Sequence, residues 1–430
     1  MPEKMMKNCS NYDDISALIG DGIMCDILSR LPVKSLMCCK RVCKHWQYLI
    51  QQDQHLINLQ LTRSKTHPFL IISIAKDNEI NFFSTNDLFE GGAAVHWLRT
   101  PWSKPMLKSV NGLLCVVDME DDSIRIFNPS TREITPSIKT TIKIDEEEEE
   151  KQGVRVQQIP KFGFGCDVYG KEYKVICVWE IHRSTAEYLP IGVERVCEVL
   201  TVGDNTWRRI NGVVSPYNIQ GNPVNVNGAI FWMNDGPLEW EAPDCNAVVA
   251  FDVGTEKFSL ITIPNFILGE PQSLLSGRFV DLLEVDGRIA LLHRRTSDGK
   301  VNLWINDGFE VTGTAATSGQ NVIVYNSNWI EETISMPFDW DENLNPTFRP
   351  IAGTDKIIIK PIEFNADSPR HSVSLYYYDR KKKTSRKVEI TGIYSLMNYP
   401  FRYTVNIFVE SLLPVQKQQQ QQHTQLPLGN

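Results

Sequence analysis

One segment of the sequence has residue types that could bind a phosphate group. The run GCDVYGK, from Gly165 to Lys171, matches the Gly-x4-Gly-Lys core of a phosphate-binding loop and would indicate a nucleotide enzyme. Glu172 stands where the magnesium-binding Ser or Thr of that motif belongs. The following YKVICVW has the composition of a strand, whereas the phosphates need a helix N-terminus. The segment therefore predicts a hairpin turn through Tyr169 and Gly170.

A cluster of thiols and one imidazole could bind zinc: Cys38, Cys39, Cys43 and His45. On a helix, Cys39 and Cys43 share one face while the other two side chains point elsewhere, so four ligands do not converge on one ion. Thiols buried in a helical stripe are the better interpretation. The sequence contains no His-Glu-x-x-His and no Gly-x-Ser-x-Gly motif. We therefore expect no catalytic residue, no metal and no cofactor.

These thiols lie in the clearest helical pattern of the chain. Apolar residues recur every three to five positions from Ile19 to Leu31, and every three or four from Cys39 to Ile50. Pro32 disfavours the helical conformation at Leu31, so the chain must turn there. Two or three short helices bury too little surface to be stable alone. The module must bind a partner or, as the alternative, cap its own domain.

From Pro68 onward the pattern becomes strands and turns, with a recurring unit. In FNPSTREI, LTVGDNTW and FDVGTEKF, a large apolar residue enters a polar turn and an apolar residue follows seven positions later. Two looser copies are Trp304, with its partner strand delayed to about Trp329, and Tyr378, with Ser385 at the seventh place. The five units begin at the anchor residues Phe127, Leu200, Phe251, Trp304 and Tyr378, and two of the steps are 51 and 53 residues. Such a period is typical of kelch-like propeller blades.

Asn-Gly or Asp-Gly pairs precede three of these anchors, at Asn111, Asn227 and Asp286, and predict tight hairpins that lead into inner strands. A first unit from PFLIISI to Trp97 brings the count to six, and FRYTVNIFV near the C-terminus could close the ring. We therefore predict a mostly β chain with a small N-terminal α module, followed by a degenerate kelch-like β-propeller of about six blades. A β-sandwich or an open stack of sheets is the alternative.

Both parts of the chain resemble plant F-box proteins. DILSRLPVKSL followed by KRVCKHWQYLI is similar to the F-box, a three-helix segment that docks on the Skp-type adaptor of a cullin-based ubiquitin ligase. GLLCV with IFNPSTREI, FGFGCDVYGKEYKVICVW, EVLTVGDNTWRRI, VNGAIFWM and FVESLLP resemble the F-box-associated domain, which in that family recruits the protein to be ubiquitinated. The resemblance implies an F-box over residues 15–58 and an F-box-associated kelch-like propeller over residues 65–412.

The resemblance also implies which residues contact the adaptor. The apolar positions that match are Ile27, Leu28, Leu31, Pro32, Leu36, Val42, Cys43 and Trp46. The family opens its first helix with Leu-Pro, whereas this chain has Ile19 and Gly20. Because a glycine destabilises a helix and lacks the ring that would contact the adaptor, we expect weaker adaptor binding than is typical.

Two groups of side chains are candidates for binding a target protein: Trp232, Asp235 and Trp240 in WMNDGPLEW, and Arg380, Lys381 and Lys382 in a basic turn. Aromatics combined with acids suit an interface, although blade packing is the alternative. The acidic run from Asp145 to Glu150 predicts a solvated or disordered loop insertion at 145–150. The alternative is an acidic segment that attracts a basic substrate.

Bulk properties narrow the compartment and the partners. A formal net charge of −8 disfavours nucleic-acid binding and leaves a basic partner open. No apolar run is long enough to cross a membrane, and residues 1–14 lack the apolar core of a signal peptide, so we expect the cytoplasm or the nucleus. Ten cysteines without a Cys-x-x-Cys pair indicate reduced thiols. We expect disorder in residues 1–14 and in the low-complexity, Gln-rich tail at 413–430.

These expectations combine into a function. We predict a non-catalytic substrate receptor of a Skp-cullin-F-box (SCF) ubiquitin ligase, which holds the adaptor through the F-box and a protein target through the propeller, for ubiquitination and proteasomal degradation. The alternatives are a propeller scaffold outside any ligase and a propeller enzyme.

Overall fold

The computed structural model describes residues 20–76, 79–85, 87–101, 109–142, 153–169, 171–187, 189–210, 219–234, 247–268, 280–294, 300–317, 320–338, 346–361, 372–393 and 403–416. The predicted disordered N-terminus at 1–14, the acidic insertion at 145–150 and residues 417–430 of the predicted tail lie outside these ranges.

Four helices open the described chain: α1 (Asp21–Leu28), α2 (Val33–Cys39), α3 (Lys44–Gln52) and α4 (Gln54–Thr66). Pro32 has the extended N-cap conformation at α2, as its fixed φ favours. Asp53 caps α4 by accepting a 2.7 Å hydrogen bond from the N–H of Leu56. The fourth helix leads directly into the first strand. Within the described residues, no helix is long and apolar enough to cross a membrane.

The strands follow in chain order. They are β1 (Phe69–Lys76), β2 (Glu79–Ser84), β3 (Gly92–Ala93), β4 (Val95–Thr100), β5 (Leu114–Asp118), β6 (Ser123–Asn128), β7 (Glu133–Ile134), β8 (Ile138–Lys139), β9 (Val154–Cys166), β10 (Tyr173–Thr185), β11 (Pro190–Thr201), β12 (Trp207–Arg209), β13 (Ile219–Val226), β14 (Ala229–Asn234), β15 (Ala247–Asp252), β16 (Phe258–Thr262), β17 (Val280–Val285), β18 (Arg288–His293), β19 (Lys300–Thr317), β20 (Gln320–Ser335), β21 (Thr347–Pro350), β22 (Lys356–Lys360), β23 (Val373–Asp379), β24 (Thr384–Thr391) and β25 (Tyr403–Phe408). One short helix, α5 (Asn265–Leu268), follows β16.

These strands form a six-bladed β-propeller. Blades 1 to 3 are the sheets β25-β1-β2-β4, β5 to β8, and β9 to β12. Blades 4 and 5, β13 to β16 and β17 to β20, are joined by a parallel pair between β16 and β20, and blade 6 is β21 to β24 with β3 at its edge. The last strand, β25, pairs antiparallel with β1 from Phe69 opposite Phe408 to Ile74 opposite Tyr403. This pairing closes the ring, so the propeller prediction is confirmed and a sandwich or open stack is excluded.

The seven-residue spacing of the anchors has a simple structural cause. Each anchor and its follower face one another across a hairpin between two consecutive strands of a blade. The pairs are Phe127 with Ile134, Leu200 with Trp207, Phe251 with Phe258, and Tyr378 with Ser385. The predicted partner strand of Trp304 is confirmed, because β20 contains Trp329, and the residue that faces Trp304 on it is Glu331. The β19–β20 hairpin has irregular register and runs on to Thr317 and Gln320, so spacing alone could not fix its pairing.

The three Asn-Gly and Asp-Gly turns have the predicted geometry. Both turn residues have positive φ in each, for example 45° at Asn227 and 84° at Gly228, which is the type I′ turn of tight hairpins. Two of them follow an inner strand, β13 or β17, and lead to the second strand of the blade, so the prediction that they lead into an inner strand is wrong. The turns between first and second strands, and between third and fourth, lie on one face of the propeller. We call it the helix face because Lys65 and Pro68 lie beside these turns, and the opposite face the distal face.

The helices share a hydrophobic core with blades 2 and 3. Leu28, Val33 and Leu36 are at most 1% exposed and belong to one cluster with blade residues such as Leu113 and Val175. The same cluster contains Leu412, Leu413 and Val415 near the C-terminus. The module is therefore packed against the propeller through a continuous apolar core.

Candidate functional site

Exposed apolar side chains on α1 and α3, and in the connections on either side of α2, are one candidate binding site. It is formed by exposed large side chains: Ile23 (61% exposed), Ile27 (49%), Val42 (42%) and Tyr48 (52%), with Pro32 also exposed. We call these five residues the helix-module surface. Exposed apolar side chains gathered on one module are typical of a protein-binding site.

The residues predicted to contact an adaptor divide into three groups. Ile27, Pro32 and Val42 are exposed, while Leu31, Cys43 and Trp46 are partly buried. Leu28 and Leu36 are 1% and 0% exposed, and they pack in the core that joins the helices to the propeller. The structure therefore places these two side chains inside the protein, whereas the prediction placed them on the adaptor surface. Exposed Tyr48 lies outside the apolar stripe and is not in the predicted set.

Arg63 on α4 holds the end of α1 in place. Its Nη1 donates a 2.6 Å hydrogen bond to the carbonyl oxygen of Asp26 and another to the hydroxyl of Ser29. Its Nη2 pairs with the carboxylate of Asp26. Hydrogen bonds from Arg63 and then Arg30 lower the pKa of Asp26. The carboxylate therefore stays charged, and it fixes the turn that presents Ile27.

The segment from Val409 to Gln416, which we call the C-terminal clasp, connects the helices to blade 2. Asn128, fully buried, donates hydrogen bonds to the carbonyl oxygens of Ser411 and Leu413 at 3.0 and 2.9 Å. On the other side, Glu410 Oε2 accepts a 2.9 Å hydrogen bond from the N–H of Val33 at the start of α2. The tail predicted to begin at residue 413 thus starts inside a packed segment. The clasp fixes the helix-module surface relative to the propeller.

Trp232, predicted as a target contact, is instead a core residue. It lies on β14 and is 1% exposed. A Cβ at Gly163 of β9 would come within 2.3 Å of its ring, so glycine is needed there for the two strands to pack. Blade packing, the alternative, therefore describes Trp232, and the interface prediction is corrected. Its companions Asp235 and Trp240 lie outside the described residues.

The basic turn is only partly available to a partner. Arg380 is 8% exposed and makes two hydrogen bonds of 2.9 and 2.8 Å to Glu332, with a third of 2.8 Å to Asp286. These partners raise the pKa of Arg380. Lys381 is exposed and pairs with Asp355 at 2.7 Å, and Lys382 is exposed. Arg380 is therefore a structural ion pair, which corrects its assignment to a target surface.

Trp232, the described member of the first predicted target group, does not lie with the basic turn. The basic turn joins the third and fourth strands of blade 6, so it lies on the helix face. Trp232 precedes the end of β14, from which the chain leaves toward the distal face. Trp232 and the basic turn therefore do not form one surface.

The phosphate-loop resemblance resolves into a hairpin turn, as predicted. Asp167 closes the β9–β10 connection, since its backbone N–H donates to the carbonyl oxygen of Glu172 at 3.0 Å. Its carboxylate accepts a hydrogen bond from the N–H of Lys171 at 2.6 Å.

In the thiol cluster, Cys43 Sγ accepts a hydrogen bond from the backbone N–H of Trp46. Among the described residues, no three His, Cys, Asp or Glu side chains form a group that could hold a metal.

Blade 3 has an additional surface that the sequence did not point to. Strands β9, β10 and β11 are 12 or 13 residues long and extend toward the distal face. The fourth strand pairs only with Glu198 to Leu200, so the preceding part of β11 has no outer neighbour among the described strands. This open edge carries exposed Leu189 (59%), Ile191 (56%) and Val193 (38%). An open, apolar strand edge can pair with an extended segment of another chain.

Comparison with known proteins gives matches over nearly the whole described chain. Residues 69–412 match the model of the F-box associated beta propeller domain, and residues 21–57 match the F-box-like model. The Arabidopsis thaliana F-box protein At5g65850 is 25% identical over 404 residues, which cover 90% of this chain and 88% of the relative. The F-box protein At4g19940 of the same plant is 24% identical over 404 residues, covering 90% and 87%.

Proposed function

This chain belongs to the plant F-box proteins that carry an F-box associated β-propeller domain, and we propose that it is the substrate-recognition subunit of an SCF ubiquitin ligase. In this proposal the helices dock on a Skp-type adaptor and the propeller binds a protein marked for ubiquitination and proteasomal degradation. The chain makes and breaks no bond, as is typical of F-box proteins. It raises the local concentration of the target near the ubiquitin carrier, in the cytoplasm or nucleus.

One observation supports the proposal most directly: the exposed apolar side chains belong to a helical module that is packed firmly against the propeller. Ile27 on α1 and Val42 in the α2–α3 connection belong to a module whose inner side is packed on the propeller through Leu28, Leu36 and the clasp. A receptor must keep its two binding surfaces at a set separation, since a loose joint would spread the target over a larger volume.

Adaptor binding should depend on the exposed and half-buried members of the predicted set. We assign direct contact to Ile27, Pro32 and Val42, with Ile23 and Tyr48 as additions, and a supporting contact to the half-buried Leu31, Cys43 and Trp46. Binding energy in such interfaces concentrates in a few well-packed apolar and aromatic anchors.

We place target binding on the distal face, at the open edge of β11. Its exposed Leu189, Ile191 and Val193 offer alternating apolar contacts, while the unpaired backbone offers hydrogen bonds to an extended segment. The formal net charge of −8 favours a basic target.

The adaptor claim is tested by charge insertion on the helix-module surface. The double variant Ile27→Asp/Val42→Asp should lose co-purification with a Skp-type adaptor, because an unpaired charge in an apolar interface is costly. Both positions are exposed, so the fold should persist, as circular dichroism would show. Val168→Asp, at a position 66% exposed on the β9–β10 turn, is the matched control and should bind normally. Unchanged capture of the double variant would favour a scaffold outside any ligase.

A further inference from the structure

The central channel of the propeller opens on the helix face into a cavity of about 540 Å³. Its wall contains residues from the first strand of the blades, including β13, β17, β21 and β25, and its rim includes Lys65 from α4. A cavity of this volume accommodates a small molecule. No residue of the helix-module surface lines it.

Arg349 on β21 lines this cavity and makes no ion pair with a described residue. Its Nη1 donates only to the carbonyl oxygen of Phe348, at 3.1 Å, and its Nε is buried with no acceptor among the described residues. The carboxylate whose charge bears on it, Asp281, is already paired with Arg294 at 3.2 Å. A guanidinium has five N–H donors, and leaving charged donors buried and unpaired is costly.

The two cationic side chains that are buried among the described residues, Arg380 and Lys174, both have carboxylate partners. Arg380 is bound by Glu332 and Asp286, and Lys174 lies 2.9 Å from Glu256. Arg349, by contrast, has no carboxylate partner among the described residues, and it lines the cavity.

The remaining charges of the cavity leave it positive. Lys65, like Arg349, makes no ion pair with a described residue, and Glu284 is the one acidic side chain among the lining residues. Glu284 Oε1 already accepts a hydrogen bond from the N–H of Gly287 at 3.1 Å. The amides of Asn225 and Asn406 add polar groups to the wall. Two cations against one occupied carboxylate favour an anion in a protein whose formal net charge is −8.

We propose that the helix-face mouth of the central channel binds a small anion carrying phosphate or carboxylate groups. Arg349 holds the anion through paired N–H donors, and Lys65 supplies a second charge from α4. The bound anion thereby links the last helix of the N-terminal module to blade 6. This site is separate from both surfaces of the proposed function.

Calorimetric titration of the full chain tests the site. Pyrophosphate and citrate are the two probes, each added at constant ionic strength with sodium chloride as the balancing salt. We expect saturable binding of at least one probe, and we expect Arg349→Gln to weaken it about tenfold or more, since a charge-assisted donor pair is lost. Arg99→Gln, which removes an exposed ion pair with Glu79, is the control and should change affinity less than about twofold.

A second variant keeps the test valid if Arg349→Gln fails to fold. Glu284→Gln keeps an oxygen to accept the hydrogen bond from Gly287 and removes the negative charge, so it should strengthen anion binding several-fold. Saturation by pyrophosphate alone supports the proposal with phosphate as the ligand group, and saturation by citrate alone supports it with carboxylate. Absence of saturable binding by both probes, or equal affinity in all variants, overturns the proposal.

Discussion

At the scale of single residues, Gly20 stands where the sequence resemblance leads us to expect a proline. It is the N-cap of α1, with φ −51° and ψ 144°, and it is exposed. A Cβ added there would meet nothing within 4 Å. The backbone is therefore already in a conformation that proline adopts, and the space for a ring is open.

Gly20→Pro should strengthen adaptor binding about two- to fivefold, since the ring restricts the unfolded chain and adds an apolar contact. Fluorescence titration of a labelled Skp-type adaptor would measure the affinity. Gly22→Ala is the control, because it stabilises α1 without adding a ring at the interface. Equal gains from both variants would show that only helix stability matters, and no gain from Gly20→Pro would contradict a contact at this position.

At the scale of elements, the clasp is the joint between the two modules. Burial raises the pKa of Glu410, and the hydrogen bond from the N–H of Val33 opposes that rise. Because the folded state binds the proton more tightly than the unfolded state, the contribution of Glu410 to stability is full below its ordinary pKa of 4.5 and is lost as pH rises through the folded value.

Glu410→Gln should therefore increase the free energy of unfolding at pH 7.5, because the amide keeps an acceptor for Val33 and removes a buried charge. The gain should disappear near pH 4.5 and below. Urea denaturation of both proteins across this range measures it. A variant less stable than the parent at pH 7.5 would show that the ionised carboxylate is needed by the clasp.

The open edge of β11 is the second element with a testable role. Ile191→Lys/Val193→Lys places two charges on the exposed edge, which should block pairing with an extended partner segment. Capture of target proteins from plant extract with the cullin blocked should fall at least about fivefold, and adaptor binding should stay unchanged. If the variant captures the same proteins in the same amounts, the proposal that this edge binds the target is contradicted.

At the scale of the whole molecule, the sequence was informative where contacts are local. The seven-residue spacings marked real hairpin pairs such as Phe127 with Ile134, and Asn-Gly pairs marked type I′ turns, because both depend on neighbours along the chain. The clasp could not be predicted from the sequence, because Asn128 and Leu413 are 285 residues apart and no periodic pattern connects them. Arg380 was misjudged for the same reason: its partners Asp286 and Glu332 are distant in sequence.

Burial explains the remaining differences. The apolar stripe shows that the helices are amphipathic, but it does not show whether a given apolar side chain packs on the propeller or faces solvent. Buried Leu28 and exposed Ile27 therefore cannot be told apart from the sequence. The packing of the helical module on the propeller is therefore visible only in the folded chain, and the receptor proposal depends on that packing.

Light scattering after size exclusion tests the central claim most directly. The full chain, of 49.1 kDa, is mixed with a purified Skp-type adaptor and the mass of the eluting species is measured. The proposal predicts one peak with the mass of a one-to-one complex, lost in Ile27→Asp/Val42→Asp. Two separate peaks at the masses of the free proteins, at concentrations well above micromolar, would contradict it.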